Sequence, residues 1–272
     1  MTTNDLPEVF SFSGSIPQHY DEYLGPLFFE PYAIEVVGRI APSGVKLAVE
    51  LASGTGRVTR HLRARLSSTA KLVASDISED MLAIAKEKLK TEKIDWQIID
   101  AENLPFPGDS VDLIVCCFGY MFVPNKEKAF REAFRVLKAG DMFIFSTWDN
   151  LESNQVSFVY RNIAKKYLPD PLPDSYNLPF SMNDESEIKN LLEKAGFKKI
   201  KIETLQKTCV SHSAHQAAEG LSQGGLIYNE IMKRNPEWMT EIKISLEKQL
   251  AEKFGKAPMK ASMSAIIVQA WK

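Results

Sequence analysis

One stretch decides the fold of this chain: Val49-Glu50-Leu51-Ala52-Ser53-Gly54-Thr55-Gly56, an apolar strand followed by an acidic residue and a turn of small residues. Further along, a second apolar strand, Leu72-Val73-Ala74-Ser75-Asp76, ends in a carboxylate. In a βαβ unit two such strand ends lie side by side. The small-residue turn lets backbone approach a ligand closely, and the carboxylate can accept hydrogen bonds from a ribose diol. The two stretches therefore predict a site for a small molecule that carries an adenosine.

The spacing of the glycines separates classes of nucleotide site. Dinucleotide enzymes use G-x-G-x-x-G, whose third glycine allows close packing of helix and strand. Counted from Gly54, that third position holds Thr59. The phosphate-binding pattern G-x-x-x-x-G-K-[ST] is also absent from the sequence. A nucleotide-dependent oxidoreductase on a related sheet stays an alternative, and the missing glycine counts against it.

Three further segments follow in order: Ile98 to Phe106 (I-I-D-A-E-N-L-P-F), Ser110 to Gly119 (S-V-D-L-I-V-C-C-F-G) and Lys126 to Asp141, which contains R-V-L-K-A-G. With the first stretch they resemble class I S-adenosylmethionine (SAM)-dependent methyltransferases of the type 11 group, related to ubiquinone and menaquinone biosynthesis. The resemblance covers roughly residues 15–150. It departs at Ala52, where the family usually has its first glycine. Because alanine is the smallest replacement, we expect close approach of the ligand to be kept.

The alternation of strand and helix from Val45 to Trp148 predicts an α/β fold in which helices cover both faces of a parallel sheet. Together with the resemblance, it indicates a Rossmann-like, mostly parallel sheet of seven strands. We place these strands at residues 46–51, 71–75, 94–99, 111–117, 141–147, 197–208 and 259–272.

Three regions are expected along the chain. Residues 1–41, rich in aromatic side chains, would form an N-terminal helical lid, because such a segment closes over SAM in the resembled family. Residues 42–150 would form the SAM-binding core. Residues 151–272 would complete the sheet with strands six and seven, between which a helical substrate cap is inserted at about 211–258.

The resemblance implies how SAM, and its product S-adenosylhomocysteine, would be held. Asp76 should accept hydrogen bonds from the ribose hydroxyls and Asp100 from the adenine amino group, while Glu50 orients the turn or meets the amino group of the methionine portion. The expected cofactor-binding residues are Tyr20, Glu50, Ala52, Ser53, Gly54, Gly56, Asp76, Ile77, Met81, Asp100, Ala101, Glu102, Cys117 and Phe118.

Methyl transfer from a sulfonium is an SN2 displacement, so the chain must mainly hold the reactants in line and exclude water. No fixed triad is expected. Tyr120 and His19 are candidate general bases, with His212 and Asp149 as others, although Tyr120 could equally pack in the core. A SAM-binding module without turnover is a second alternative. Strand four is not followed by N-P-P-[YF], which argues against the adenine- and glutamine-amide-methylating groups.

The composition of the chain limits the classes of partner that it is expected to bind. The formal net charge of -2 gives no global attraction to nucleic acid or to anionic membranes, and the longest apolar run is too short to span a bilayer. Three cysteines without a C-x-x-C pattern predict neither a disulfide framework nor a metal site. The first five residues carry no secretory signal. We therefore expect a cytoplasmic enzyme with a small organic acceptor of unknown reacting atom, and the sequence leaves its oligomeric state open.

Overall fold

The computed structural model describes Phe12 and residues 14–168, 174–225 and 227–272, without the side chains of residues 174 and 175. Two sequence-based expectations lie partly outside this description: the beginning of the 1–41 region, which includes the first five residues, and the expected cap at residue 226. Within the described ranges, no helix is both long and apolar enough to cross a membrane.

Seven strands form one sheet in the order β3-β2-β1-β4-β5-β7-β6. The first five strands pair in parallel with their neighbours, and β7 runs antiparallel to β5. This arrangement confirms the predicted Rossmann-like, mostly parallel sheet. The strands are β1 Leu47–Glu50, β2 Lys71–Asp76, β3 Asp95–Ile98, β4 Val111–Cys117, β5 Leu137–Trp148, β6 Lys199–Ser211 and β7 Met259–Trp271.

Helices connect β1 to β2, β2 to β3 and β4 to β5, whereas no helix is described between β3 and β4. The helices are α1 Ile16–His19, α2 Glu30–Gly38, α3 Arg57–Arg65, α4 Glu79–Lys88, α5 Lys126–Val136, α6 Gln155–Ala164, α7 Asp174–Asn177, α8 Glu185–Ala195, α9 Ala214–Gln223, α10 Ile227–Arg234 and α11 Glu237–Phe254. A π-helical segment, Tyr20–Phe29, links α1 to α2. The helix ends follow local chemistry: the Ser78 hydroxyl caps α4 by accepting from the Met81 N–H at 3.3 Å, and Gly196 ends α8 with φ of 115°.

The chain divides into two compact units. The sheet unit comprises Tyr32–Asp149, Phe180–Leu205 and Ala265–Lys272; the helical unit comprises the residues up to Pro31, Asn150–Pro179 and Gln206–Ser264. The sheet unit begins at Tyr32, within α2 and ahead of the boundary expected at residues 41/42, and the expected lid, core and cap stay predictions. Strands β6 and β7 each contribute residues to both units, which a linear division of the sequence does not anticipate.

The core of the sheet unit lies around β1, β4 and the second half of β5, from Phe143 to Trp148, whose side chains are almost all buried. Strand β3 forms an edge and stays partly exposed. The buried apolar runs of the central strands are typical of parallel sheets covered on both faces. The carboxyl ends of β1, β2 and β4 therefore meet at one rim, where the residues singled out in the sequence are found.

The helical unit holds together through close helix packing and one buried amide. A Cβ on Gly220 of α9 would lie 2.6 Å from the Tyr23 Cβ, so glycine is required for this approach. The Asn154 Nδ2 donates to the carbonyls of Asn150, at 2.9 Å, and Ser264, at 3.1 Å, while its Oδ1 accepts from the Ser264 N–H at 3.1 Å. Each polar atom of this buried amide has a partner, which is the usual condition of buried polar groups.

Candidate functional site

The turn after β1 is built from left-handed backbone. Ala52, Gly54 and Gly56 have φ values of 53°, 56° and 80°. The Ser53 N–H donates to the Ser75 carbonyl at 2.8 Å, and the Gly56 N–H donates to the Ser53 carbonyl at 3.0 Å. These bonds fix the turn against the end of β2 and bring it to the amino end of α3. The glycines supply the positive φ without steric cost, and Ala52 adopts it with a Cβ that is exposed.

Asp76, the last residue of β2, ties two turns together. Its Oδ2 accepts from the Gly54 N–H at 2.8 Å, and its Oδ1 accepts from the Ser78 N–H at 2.9 Å. Burial raises the pKa of Asp76, and the two backbone donors oppose that rise. Each carboxylate oxygen can accept two hydrogen bonds, so both retain capacity for a ligand's hydroxyls. Asp76 therefore shapes the turn and still offers acceptors at the strand end.

Glu50 carries a buried carboxyl group, one oxygen of which makes no hydrogen bond to the described residues. Its side chain is only 1% exposed, and burial raises its pKa to about 8, with the Asp76 charge contributing in the same direction. The Oε2 atom of Glu50 and the hydroxyl of Ser53 have no hydrogen-bond partner among the described residues. A buried acceptor without a partner is costly in an isolated protein. Such a carboxyl suits a cationic donor, for example an ammonium group.

The turn after β4 contacts the turn after β1. Phe118 takes φ of 57° and is followed by Gly119. A Cβ on Gly119 would lie 2.5 Å from the Ala52 Cβ and 2.6 Å from the Cys116 Sγ, distances that real side chains do not tolerate. Gly119 is therefore needed for the two turns to meet. The sequence alone gave no signal for this pairing.

Aromatic side chains surround the end of β4. The rings of Phe118 and Trp148 stack with centroids 4.2 Å apart, and Tyr32 meets both edge-on at 5.6 and 5.8 Å. The Tyr32 hydroxyl donates to the Leu205 carbonyl at 2.9 Å. These three buried side chains make an apolar wall beside the end of β4. Neither Tyr32 nor Trp148 was singled out in the sequence.

The rim near β2 and β3 presents apolar surface beside polar groups. Ile77 is 41% exposed directly after Asp76, whereas Met81 is buried with its Cε near Gly54. Asp100 and Ala101 follow β3, and Asp100 is exposed with its Oδ1 accepting from the Glu102 N–H at 2.8 Å. An exposed isoleucine after β2 and an exposed carboxylate after the neighbouring strand β3 suit a heteroaromatic ring that carries an amino group.

Two residues that were expected in the catalytic or cofactor site, Tyr120 and Glu102, make hydrogen bonds to backbone groups of the fold. The Tyr120 hydroxyl is buried and donates to the Ala129 carbonyl at 3.3 Å, and its ring stacks on Phe130. Burial raises the pKa of Tyr120 far above its usual value. This geometry favours the packing interpretation over a general base. The Glu102 carboxylate accepts from the Asn125 N–H at 2.8 Å, so it braces the start of α5.

The remaining named residues fall into two groups. Cys117 ends β4 opposite Ser146 of β5, and burial, with the Glu50 charge, raises the pKa of its thiol, so a reactive thiolate is not favoured. His19 and Tyr20 belong to the helical unit, where the Tyr20 ring stacks on Phe29 at 4.9 Å. Their proposed roles at the cofactor stay predictions.

Two hydroxyls at the end of β5 escaped sequence analysis. Ser146 and Thr147 are fully buried, and their hydroxyl oxygens have no hydrogen-bond partner among the described residues. The register places Ser146 beside Cys117. Small polar residues at the carboxyl end of an apolar strand, here F-S-T-W, are the only signal in the sequence that could have indicated them.

Solved structures with this fold are methyltransferases in several cases. Phosphoethanolamine N-methyltransferase 2 of Haemonchus contortus has a TM-score of 0.63 and 14% identity, over 100% of this chain and 60% of that chain. The YcgJ protein of Bacillus subtilis has a TM-score of 0.58 and 16% identity, over 89% of this chain and 98% of that chain. At these identities the likeness shows the fold.

Two proteins of similar sequence are named C-methyltransferases. A ubiquinone/menaquinone biosynthesis C-methyltransferase of Hydrogenovibrio crunogenus is 31% identical over 182 residues, 62% of this chain and 70% of that protein. Its counterpart from Escherichia fergusonii is 32% identical over 175 residues, 58% of this chain and 70% of that protein.

The strand order, the small-residue turn and the carboxylates at the strand ends define a class I SAM-dependent methyltransferase. The model of the ubiE/COQ5 methyltransferase family matches residues 32–217, more than half of the sequence. The chain belongs to this family. Its cofactor is therefore SAM, and the residues present fit it. The buried Oε2 of Glu50 has no hydrogen-bond partner among the described residues, and both oxygens of Asp76 can accept further hydrogen bonds.

Proposed function

We propose that this enzyme transfers the methyl group of SAM to a carbon atom of a small organic acceptor. The support for carbon is the similarity to relatives that are named C-methyltransferases, at 31% and 32% identity. The support for a small acceptor is the aromatic wall of Phe118, Trp148 and Tyr32 at the strand ends. Such a wall suits an apolar ring better than a polar macromolecule.

The observation that carries the proposal is the pair of carboxyl groups at the ends of β1 and β2. When bound, SAM supplies a methyl group that is already activated by a sulfonium. We assign Asp76 to the ribose hydroxyls, because both its oxygens have lone pairs to spare. We assign Glu50 to the ammonium group, because its buried Oε2 has no hydrogen-bond partner among the described residues.

The other assignments follow the surface of the site. Ile77 and Met81 would contact the adenine ring, and Asp100 would accept from its amino group. The backbone of the turn from Ala52 to Gly54 would line the methionine portion. Gly56, Ala101, Cys117, Phe118 and, from the helical unit, Tyr20 complete the proposed cofactor-binding set, in which Glu102 acts by bracing the neighbouring turn.

Catalysis then depends on positioning and on exclusion of water, rather than on a nucleophilic triad. The buried Tyr120 hydroxyl does not serve as the base, since it already donates to a backbone carbonyl. Methylation at a ring carbon displaces a proton from that carbon, which water can accept, so a phenolate acceptor needs no strong base from the protein. This requirement matches a site whose described side chains are mostly apolar or already engaged.

The test is a transfer assay with SAM that carries a ¹³C-labelled methyl group. Acceptors would be short-chain benzoquinols and naphthoquinols, compared with simple phenols, amines and thiols. The chemical shift of the transferred methyl group identifies the atom that receives it. We expect a C-methyl product from the quinols. A product methylated only at nitrogen, oxygen or sulfur would overturn the assignment to carbon.

A further inference from the structure

The strand register places two carboxyl groups on one face of the sheet. Glu50 of β1 lies opposite Ala74 of β2, and Asp76 follows Ala74 by two residues. Because side chains alternate between the two faces of a sheet, the Glu50 and Asp76 carboxyls share a face. On the other side of β1, Glu50 lies opposite Val115 of β4, so Cys117 shares that face as well. Glu50 therefore lies between an acidic group and a thiol at the carboxyl ends of three neighbouring strands.

The described groups around Glu50 supply no positive charge. Asp76 is acidic, Thr59 of α3 offers only a hydroxyl, and burial raises the pKa of the Cys116 and Cys117 thiols, so both stay protonated. No described lysine, arginine or histidine forms an ion pair with Glu50. A carboxylate that is 1% exposed and lacks a counter-ion is costly, and burial accordingly raises the pKa of Glu50 to about 8. Without a ligand, this carboxyl is therefore protonated at neutral pH.

The ligand assigned to this site brings the missing positive charge. The methionine portion of SAM, and of S-adenosylhomocysteine, carries an ammonium group, which the proposed function assigns to the buried Oε2 of Glu50. A positive charge beside a carboxyl favours its ionised form and lowers its pKa. The ionised form also accepts a charge-assisted hydrogen bond, which is stronger than a neutral one. The carboxyl is therefore neutral before the ligand binds and charged afterwards.

We propose that binding of SAM or S-adenosylhomocysteine releases a proton from the Glu50 carboxyl to the solvent. The O–H bond of the carboxyl breaks, water or buffer takes the proton, and the carboxylate pairs with the ammonium group of the ligand. Nothing is oxidised or reduced. This inference rests on the assignment of Glu50 in the proposed function, and it adds a regulation of the same site by pH.

The direction of the pH dependence follows from the two protonation states. Below about pH 8 the free protein holds the proton and the complex does not, so protons compete with the ligand. The affinity for the ligand should therefore rise with pH, by about tenfold from about pH 6 to about pH 7, and become constant above about pH 8. Acidification across the neutral range would thus weaken cofactor binding.

The test is isothermal titration calorimetry of the full chain with S-adenosylhomocysteine at neutral pH. The titration is made in PIPES and in imidazole, two buffers with different ionisation enthalpies, and the difference in the observed enthalpy gives the number of protons released. The control ligand is 5′-methylthioadenosine, which keeps the adenosine and the sulfur but has no amino-acid portion. We expect release of about one proton with S-adenosylhomocysteine and none with the control ligand.

The control ligand also separates Glu50 from Asp76, whose pKa burial raises as well. Both ligands carry the ribose hydroxyls assigned to Asp76, so a proton lost from Asp76 would be released with either ligand. Equal release with the two ligands would therefore overturn the assignment to Glu50, and S-adenosylhomocysteine binding without release would overturn the linkage. If S-adenosylhomocysteine does not bind at all, the proposed cofactor site itself is wrong, and this inference falls with it.

Two variants assign the proton to its residue. Glu50→Gln has the shape of the protonated carboxyl and should fold, but it should bind S-adenosylhomocysteine without proton release and with an affinity that pH does not change. The advantage of the wild-type protein over this variant should grow about tenfold from about pH 6 to about pH 7. Glu87→Gln, on the exposed side of α4 where Glu87 pairs with Lys90, should keep both the release and the pH dependence. Release that persists in Glu50→Gln would overturn the proposal.

Discussion

The rim of the sheet unit and helix α6 of the helical unit both contain buried polar groups that have no hydrogen-bond partner among the described residues. At the rim, the Asp76 carboxylate is also bonded to two backbone amides, so the site is anchored while part of it stays open. On α6, the Tyr160 hydroxyl and the Arg161 Nε make no hydrogen bond within the part of the chain that the structure describes. The difference indicates that the proposed cofactor site is held in place by backbone hydrogen bonds of its own turns.

The largest expected effect is on the anchored carboxylate. Asp76→Ala should weaken binding of S-adenosylhomocysteine about 100-fold, because two hydrogen bonds to a charged acceptor contribute about 1.5 kcal/mol each. Isothermal titration calorimetry measures the change. Asp95→Ala is the matched control, since Asp95 forms an ion pair with Lys71 at the exposed edge of the sheet. An unchanged affinity in Asp76→Ala would break the assignment of the ribose site.

The contact between the two turns should have the next largest effect. Gly119→Ala introduces a methyl group within 2.6 Å of two neighbours, and overpacking of this kind costs about 1–3 kcal/mol of unfolding free energy. Gly38→Ala is the control, because a Cβ there meets nothing within 4 Å. Denaturant unfolding measures both. In an Ala52→Gly background the cost should shrink without vanishing, because the clash with Cys116 remains; identical costs in the two backgrounds would disprove the contact with Ala52.

The buried carboxyl Glu50 should make stability depend on pH. Its pKa is about 8 in the folded protein against 4.5 as the ordinary value, so the protonated form is favoured by folding. The corresponding stability is fully present below pH 4.5 and is lost as the pH rises toward 8. Unfolding free energies of the ligand-free protein, measured across this range, should therefore fall with pH. In Glu50→Gln that part of the slope should disappear, and an unchanged slope would contradict the burial of an open carboxyl.

The smallest effect concerns the residue that departs from the family's usual glycine. Ala52→Gly should raise the unfolding free energy by about 0.5 kcal/mol, because relief of a left-handed alanine slightly exceeds the entropy that glycine loses on folding. Ala139→Gly, at an exposed strand position, should instead lower stability. If both substitutions destabilise equally, Ala52 is unstrained and the turn differs from the one described.

Some of the structural features behind these predictions could be predicted from the sequence, and others could not. The alternation of strands and helices, the turn from Ala52 to Gly56 and the carboxylate of Asp76 follow from local patterns, because strand periodicity and glycine turns are encoded over a few residues. The requirement for Gly119 depends on a neighbour from another turn, and the burial of the Tyr120 hydroxyl depends on helix α5. Such facts belong to tertiary packing, which no short motif records.

The same reasoning explains the domain boundaries. Strands β6 and β7 each feed both compact units, so the units interleave along the chain and no composition shift marks them. The helices between β6 and β7 could be read from their periodicity, whereas the unsatisfied pair on α6 could not. A sequence does not show whether a buried hydroxyl or guanidinium finds a hydrogen-bond partner in the folded protein.

The most direct test of the central claim is parallel calorimetric titration of the purified protein with SAM, S-adenosylhomocysteine and NADH. The account predicts binding of the first two with dissociation constants on the order of micromolar, about -8 kcal/mol, and no binding of NADH. Binding of NADH alone, or of none of the three, would contradict the assignment of the strand-end carboxylates to SAM.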